Sequence, residues 1–195
     1  MAESMIKTDD RTITSTKDKE SIMPKQPLVG ILMGSDSDWE VMQEAVKILK
    51  KFGIPSEVTV TSAHRTPART HDYAVTAAER GLKAMIVGAG AAAHLAGVVA
   101  SLTPLPVIGV PLSATSLQGM DALLATVQMP GGIPVATMAI GQAGAQNAAL
   151  FTVRILALTN PELARKLKEF HQEMIAKVEA KENALQTKVA ALENA

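Results

Sequence analysis

The chain has no cysteine and few aromatic residues: one Trp, one Tyr and three Phe among 195 residues. Without thiols it can form neither a disulfide framework nor a thiolate nucleophile, which is consistent with a reducing, cytoplasmic environment. So few aromatic rings argue against a surface that stacks single-stranded nucleic acid. A charge excess is also missing, because 19 basic residues balance 19 acidic ones. Nothing therefore indicates a nucleic-acid partner or an anionic membrane surface.

An apolar stretch is also missing from the first 26 residues. Residues 1–26 are polar and mixed in charge, without the apolar stretch of a signal peptide, and we predict a disordered leader there. The longest apolar segment, residues 84–102, contains His94 and three glycines. We interpret it as a buried strand followed by a buried helix and not as a membrane span.

Five short apolar runs rich in Val and Ile recur along the chain, 22 to 29 residues apart. They begin at Leu28, Glu57, Ala84, Pro106 and Pro134. Most are continuously apolar, as parallel strands covered on both faces are, and helical patterns lie between them. The spacing predicts a single doubly wound α/β domain over residues 27–160.

Residues 161–195 follow a different pattern. A helix is predicted after Asn160-Pro161, and no further strand follows it. Its apolar stripe consists of Leu163, Leu167, Phe170, Met174 and Val178. The stripe could fold back on its own domain or pack on a neighbouring subunit. We favour the neighbouring subunit, and we expect the tail beyond about residue 180 to fray.

The first strand leads into the sequence MGSDSDWE. Ligands of open parallel sheets bind outside the carboxyl ends of the strands, so this turn is a candidate site. Ser37, with Glu40 three residues later, resembles a capping box. Ser35 and Asp38 then remain available to a ligand. Mixed hydroxyl and carboxylate groups at a helix N-terminus suit a ligand that carries both a phosphate and sugar hydroxyls.

The second strand leads into SAHRTP, residues 62–67. Thr66 can cap a helix and Pro67 suits its first turn, so the two residues predict the start of a helix. They leave His64 and Arg65 unexplained. A guanidinium group binds phosphate well, and an imidazole beside it can transfer protons near neutral pH. An ordinary loop histidine remains the alternative.

The third strand leads into GAGAAAHLAG. Gly88, Gly90 and Ala93 loosely match a dinucleotide-binding fingerprint. The match follows the third strand instead of the first, and no acidic residue lies about twenty positions further on. A simpler interpretation is a small-residue loop that lets a ligand approach the backbone. His94, in the first turn of the next helix, is either a structural histidine or part of the site.

A metal site is not predicted. His64, His94, Asp36 and Asp38 are the candidate ligands, but no two of them have a tight ligand spacing.

Five motifs in order resemble the N5-carboxyaminoimidazole ribonucleotide mutase family of purine biosynthesis. They are MGSDSDW, SAHRTP, GAGAAAHLAG, VQMPGGIPVAT and AIGQAGAQNAAL, and the likeness spans residues 27–170. The resemblance implies a three-layer αβα sandwich of the flavodoxin-like type with a central parallel sheet. It also implies a homo-octamer with sites where subunits meet, a ribonucleotide substrate, and no metal, ATP or organic cofactor.

In that family a carboxylate moves from the exocyclic nitrogen to carbon 4 of an aminoimidazole ribonucleotide. The resemblance makes His64 the general acid/base. It makes Arg65 the phosphate ligand. It places further substrate contacts at Ser35, Ser37, Asp38, Ser62, Gly90 and His94. Leu95 and Met129 are expected in a dry pocket that retains carbon dioxide, and the QMPGG segment is a candidate covering loop.

Two positions depart from the family pattern. Ala91 replaces a glycine and Ala96 replaces a proline. If residue 91 needs a positive φ, its methyl group costs about 1 kcal/mol or more.

Three rival functions remain open. The nearest is a related carboxylase that joins free carbon dioxide to aminoimidazole ribonucleotide. A non-catalytic nucleotide-binding module would tolerate replacement of His64. A nicotinamide-dependent oxidoreductase depends only on the weak glycine pattern.

Overall fold

The computed structural model describes residues 26–193, so the predicted leader lies outside the described residues except for Gln26. The strands are β1 Val29–Met33, β2 Ser56–Val60, β3 Ala84–Gly90, β4 Val107–Leu112 and β5 Ala136–Thr137. The helices are α1 Trp39–Lys51, α2 Pro67–Thr76, α3 Leu95–Leu102, α4 Met120–Val127, α5 Gln142–Ala157 and α6 Pro161–Glu193.

All five strands are parallel and form one sheet in the order β2-β1-β3-β4-β5. The five apolar runs therefore all become strands, as predicted. The last is shorter than its run, because only Ala136 and Thr137 pair with β4 before the chain leaves the sheet. The chain goes from β1 to β2 on one side and then to β3 on the other. This reversal creates a topological switch point at the carboxyl end of β1, where ligands of doubly wound sheets bind.

Helices cover both faces of the sheet, which makes three layers. Val29, Ile31 and Met33 of β1 point to one face and pack with α1 and α5. Leu32 points to the other face and packs with β3 residue Met85 and with α2, α3 and α4. The central strands β1, β3 and β4 are buried on both faces, which explains why their sequences are continuously apolar.

The apolar segment of residues 84–102 divides into β3 and α3, as predicted. Among residues 26–193, no helix combines the length and the apolar character needed to cross a membrane.

The start of α6 packs on its own domain. The Asn160 side chain caps the helix by accepting backbone hydrogen bonds from Glu162 and Leu163, at 3.1 and 3.2 Å. Leu163 is buried in the core that α1 and α5 share, and Phe170 meets the ring of Phe52 at a centroid distance of 5.7 Å. The first turns of α6 therefore fold back on their own domain, where they cover the end of α1. This is the alternative that was less favoured from the sequence.

The rest of α6 leaves the domain surface. The helix continues to Glu193, so the predicted fraying beyond about residue 180 is wrong. Every residue from His171 to Leu192 is exposed in the single chain. Packing on a neighbouring subunit stays a prediction for this distal part.

Candidate active site

A cavity of about 240 Å³ opens at the switch point, where the loops after β1, β2, β3 and β4 converge. It is lined by Gly34, Ser35, Ser37, Asp38, Ser62, Ala63, His64, Arg65, Ala89, Gly90, Ala91, Ala92, Leu95 and Ala114. Seven of the eight site residues that the sequence analysis proposed are in this lining, and the eighth, His94, contacts His64.

The β1 turn is capped differently from the prediction. A short 3-10 turn, Asp36–Asp38, precedes α1, and Ser35 is its N-cap. The Ser35 hydroxyl accepts a bond from the backbone of Ser37, and the Asp38 carboxylate accepts one from the backbone of Ser35 at 3.0 Å. The capping box is therefore Ser35–Asp38 and not Ser37–Glu40. Because helical structure begins with the 3-10 turn, the unpaired backbone N–H groups lie two residues closer to β1 than predicted.

The Asp38 carboxyl is half-buried in the cavity wall. Burial raises its pKa above the usual value, and the nearby Asp36 acts in the same direction. Backbone hydrogen bonds from Ser35 and Gly34 partly offset the rise, because they stabilise the ionised form. A carboxylate held in this way can accept hydrogen bonds from the hydroxyl groups of a sugar.

The Thr66 side chain holds the SAHRTP turn together. Thr66 occupies the N-cap position of α2, but its side chain makes no capping hydrogen bond there, contrary to the prediction. The Thr66 hydroxyl accepts a bond from the backbone of Ser62 at 2.9 Å, and the Thr66 backbone donates to the Ser62 carbonyl at 2.8 Å. The Ser62 hydroxyl accepts a bond from the backbone of Arg65 at 3.2 Å. Because these bonds close the turn, the side chains of His64 and Arg65 extend from it towards the cavity. Pro67 is the first residue of α2, as predicted.

His64 and His94 form a hydrogen-bonded pair. His64 Nε2 and His94 Nδ1 are 3.0 Å apart, and the rings meet edge to face with centroids at 5.1 Å. One ring must donate and the other accept, so the pair holds a single shared proton between these atoms. If both rings were fully protonated, the N–H group of each would point at that of the other and the two would repel. The sequence motifs predict both histidines near the site but not this contact.

The order of the strands explains the contact. His64 follows β2 and His94 follows β3, and these two strands are the neighbours of β1 on its opposite sides. The two loops can therefore meet above the carboxyl end of β1. No spacing in the sequence could have shown this, because the two residues are 30 positions apart.

The glycines of the GAGAAAHLAG loop serve packing. A Cβ on Gly88 would lie 2.4 Å from Met42 Sδ. A Cβ on Gly90 would lie 2.5 Å from the Ala114 Cβ and 3.3 Å from the Leu112 carbonyl oxygen. Contacts inside the protein thus account for both glycines, which weakens the dinucleotide-binding interpretation.

Ala91 has a φ of +52°, in the region that favours glycine. The cost of about 1 kcal/mol or more that is expected for a methyl group at a positive φ therefore applies to Ala91. We predict that Ala91→Gly increases the free energy of unfolding by about 0.5–1 kcal/mol. Removing the methyl group relieves about 1–2 kcal/mol of backbone strain. This exceeds the free-energy cost of the conformational entropy that glycine adds to the unfolded chain. Chemical denaturation measures the change.

Ala92→Gly is the matched control, since Ala92 is exposed in the same loop and is not among the residues with positive φ. It should lower the free energy of unfolding. Equal effects of the two substitutions would show that Ala91 is unstrained.

Two features of the site were not foreseen. A second cavity, of about 470 Å³, adjoins the first at Gly34, Ser35, Ser62 and Arg65, and Arg69 also lines it. Met129, expected in the pocket, lies beside Gly97 and does not line the first cavity of a single chain.

Within residues 26–193, no group of three or more His, Cys, Asp or Glu side chains is arranged to hold a metal ion.

A doubly wound sheet that gathers serine, aspartate, arginine and a histidine pair at its switch point is typical of α/β proteins that bind small ligands there. The profile described as "AIR carboxylase" matches residues 28–177. The chain therefore belongs to the AIR carboxylase family.

Curated relatives within this family carry a more specific name. N5-carboxyaminoimidazole ribonucleotide mutase of Pyrococcus horikoshii is 55% identical over 166 residues, which cover 85% of this chain and 93% of that protein. The protein of the same name from Bacillus subtilis is 58% identical over 144 residues, covering 74% and 89%. Among solved structures, PurE of Treponema denticola superposes with a TM-score of 0.69 at 30% identity, covering 78% of this chain and 94% of that one.

Proposed function

We propose that this enzyme converts N5-carboxyaminoimidazole ribonucleotide to 4-carboxy-5-aminoimidazole ribonucleotide in the biosynthesis of purine nucleotides. The observation that carries the proposal is the 3.0 Å contact between His64 and His94 at the mouth of the cavity that Arg65 also lines. The names of relatives that are more than half identical support it.

The reaction needs one proton delivered and one removed. When the bond between the exocyclic nitrogen and the carboxylate breaks, carbon dioxide leaves and the nitrogen takes up a proton. Carbon 4 then attacks the carbon dioxide, a carbon–carbon bond forms, and the ring proton departs. We assign both transfers to His64, which gives the first proton and recovers the second, so that no net proton is consumed.

His94 is assigned a positioning role. Its Nδ1 holds the His64 ring in one orientation through the 3.0 Å contact. A general base acts efficiently only when its ring is held in place, because a proton moves over hydrogen-bond distance.

The ribonucleotide would bind with its phosphate at Arg65. The guanidinium is exposed and lies 3.4 Å from the Gly34 carbonyl oxygen, which directs it across the cavity. Charged and bidentate donors suit phosphate oxygens. The hydroxyl and carboxylate groups of Ser35, Ser37 and Asp38 would face the ribose.

The remaining wall is suited to retaining carbon dioxide. Ala89, Ala92, Leu95 and Ala114 supply small apolar groups and no competing nucleophile. An apolar wall keeps the released carbon dioxide next to carbon 4, where it reacts as a neighbour instead of a dilute solute.

Turnover of the N5-carboxylated ribonucleotide without ATP or added bicarbonate tests the proposal. We expect rapid conversion that bicarbonate does not accelerate. Dependence on bicarbonate, with aminoimidazole ribonucleotide as the preferred substrate, would instead indicate the carboxylase, and no conversion of either compound would indicate a binding module.

The proposal includes catalysis without a metal or organic cofactor, in the cytoplasm. Carboxyl transfer by this route involves no oxidation or reduction, and a histidine suffices for the proton steps. The doubly charged phosphate would keep the substrate in the compartment where it is made, because charged groups cross membranes at high cost. Full activity after exhaustive dialysis against a chelator is the expected result.

We also propose a homo-octamer. Helix α4 carries an exposed apolar row of Met120, Leu124 and Val127, each about half exposed in the single chain. Such a continuous row is typical of a protein interface.

We predict that Leu124→Asp breaks the octamer into smaller species and lowers activity, because it removes about 1.5–3 kcal/mol of apolar burial per subunit and adds a charge. Light scattering measures the mass. Ser101→Asp adds the same charge at an exposed position on α3 and should leave the mass unchanged. An intact octamer in the Leu124 variant would place α4 outside the interface.

A further inference from the structure

The distal part of α6 is a long helix without support from its own domain. All 22 residues from His171 to Leu192 are exposed, a length of about 33 Å at 1.5 Å per residue. Most helices in proteins are stabilised mainly by packing of an apolar face, and this segment has no such packing within its own domain. The family profile ends at residue 177, before the last turns of the helix.

Apolar residues recur on this segment with the period of a coiled coil. Positions 171, 175, 178, 182, 185, 189 and 192 are separated alternately by four and three residues. Five of them are the apolar residues Ile175, Val178, Leu185, Val189 and Leu192, whose exposed fractions range from 38% to 79%. A mean spacing of 3.5 residues keeps such a row facing a partner helix over several turns.

The helix surface also contains a hole of the size that a coiled coil needs. His171, Met174, Ile175 and Val178, together with Glu179, line an apolar groove. The first four have the i, i+3, i+4, i+7 arrangement into which a side chain of a facing helix inserts as a knob.

The charges beside the row favour a parallel arrangement. One flank carries Lys181 and Lys188, and the other carries Glu179 and Gln186. In a parallel pair the flank of Lys181 and Lys188 lies beside the partner's flank of Glu179 and Gln186, where Lys181 can donate a hydrogen bond to Gln186, whereas an antiparallel pair would bring the lysines together. The one acidic residue within the row, Glu182, would face its counterpart on the second helix, and Lys181 of each helix would lie beside this pair and offset its negative charge.

We propose that residues 171–192 of α6 form a parallel two-stranded coiled coil with the same segment of a second copy of this chain. The second copy is the natural occupant, because it presents an identical row in register and a complementary flank. This pairing is independent of the reaction, since none of its residues lines the catalytic cavity.

The absence of cysteine permits a direct test by cross-linking. In a parallel pair in register, the two Leu185 side chains face each other, within the Cα distance that a disulfide can bridge. Under mild oxidation, full-length Leu185→Cys should form disulfide dimers at least about tenfold faster than Thr187→Cys, whose side chain lies on the outer face. Equal rates at the two positions, or no dimer from Leu185→Cys, would overturn the proposal.

A second measurement detects the pair without a disulfide. Backbone amides of residues 178–190 should exchange with solvent about 100-fold more slowly than those of an isolated helix. Leu185→Glu should abolish this protection, and Thr187→Glu should retain it. Unprotected amides in the unmodified protein would contradict the pairing. Faster disulfide formation between mixed Val178→Cys and Val189→Cys chains than within either would show an antiparallel pair and also overturn it.

Discussion

His64→Asn is expected to reduce turnover by about 10²–10⁴-fold, the usual contribution of a positioned general base. Asparagine preserves much of the shape of the imidazole and can still hydrogen-bond to His94, but it cannot exchange a proton near neutral pH. The variant should therefore fold, assemble and bind the product ribonucleotide with little change. Turnover of the N5-carboxylated substrate and calorimetric binding of the product separate the two effects.

The histidines of the chain provide the controls. His71 is exposed on α2 beside Asp72, and His71→Asn should leave turnover unchanged. His94→Asn should reduce turnover less than His64→Asn, because its amide can still orient the His64 ring. Near-normal turnover in His64→Asn, together with complete loss in His94→Asn, would transfer the acid/base role to His94.

Arg65→Ala is expected to weaken binding of the ribonucleotide by about 2–4 kcal/mol, because a phosphate loses its charged hydrogen-bond donor. This corresponds to an increase of roughly 30- to 1,000-fold in the dissociation constant. Titration calorimetry with the product ribonucleotide measures the loss. The corresponding nucleoside, which lacks the phosphate, should bind to the variant and the unmodified protein alike.

Arg154→Ala is the matched control for Arg65→Ala. It removes the same charge from an exposed position on α5 and should leave the affinity unchanged. If Arg65→Ala retained full affinity for the ribonucleotide, the phosphate would lie elsewhere, and the neighbouring cavity that Arg69 lines would be the next candidate.

Local sequence patterns predicted the strands well, because each buried parallel strand needs an apolar face on both sides. The run from Pro134 was less informative, since only Ala136 and Thr137 pair with the sheet. Pairing depends on how far the neighbouring strand extends and on where the following helix begins, and neither is encoded in the run itself.

The caps show the limit of local rules. Several hydroxyl groups near one helix start make more than one cap plausible, and local patterns favour Ser37 and Thr66. The 3-10 turn instead selects Ser35, and the closed SAHRTP turn occupies the Thr66 hydroxyl with Ser62. Which cap forms depends on the backbone path of the whole turn.

The sequence by itself determined the α/β class and the residues that follow each strand, because apolar runs and polar motifs are local. Only the tertiary structure decided that His64 meets His94, since that contact requires β1 to lie between β2 and β3. It also divided α6 into a part that packs on Phe52 and a part that remains exposed. Both outcomes depend on hydrogen bonds and packing between segments far apart in the chain, which a local pattern cannot specify.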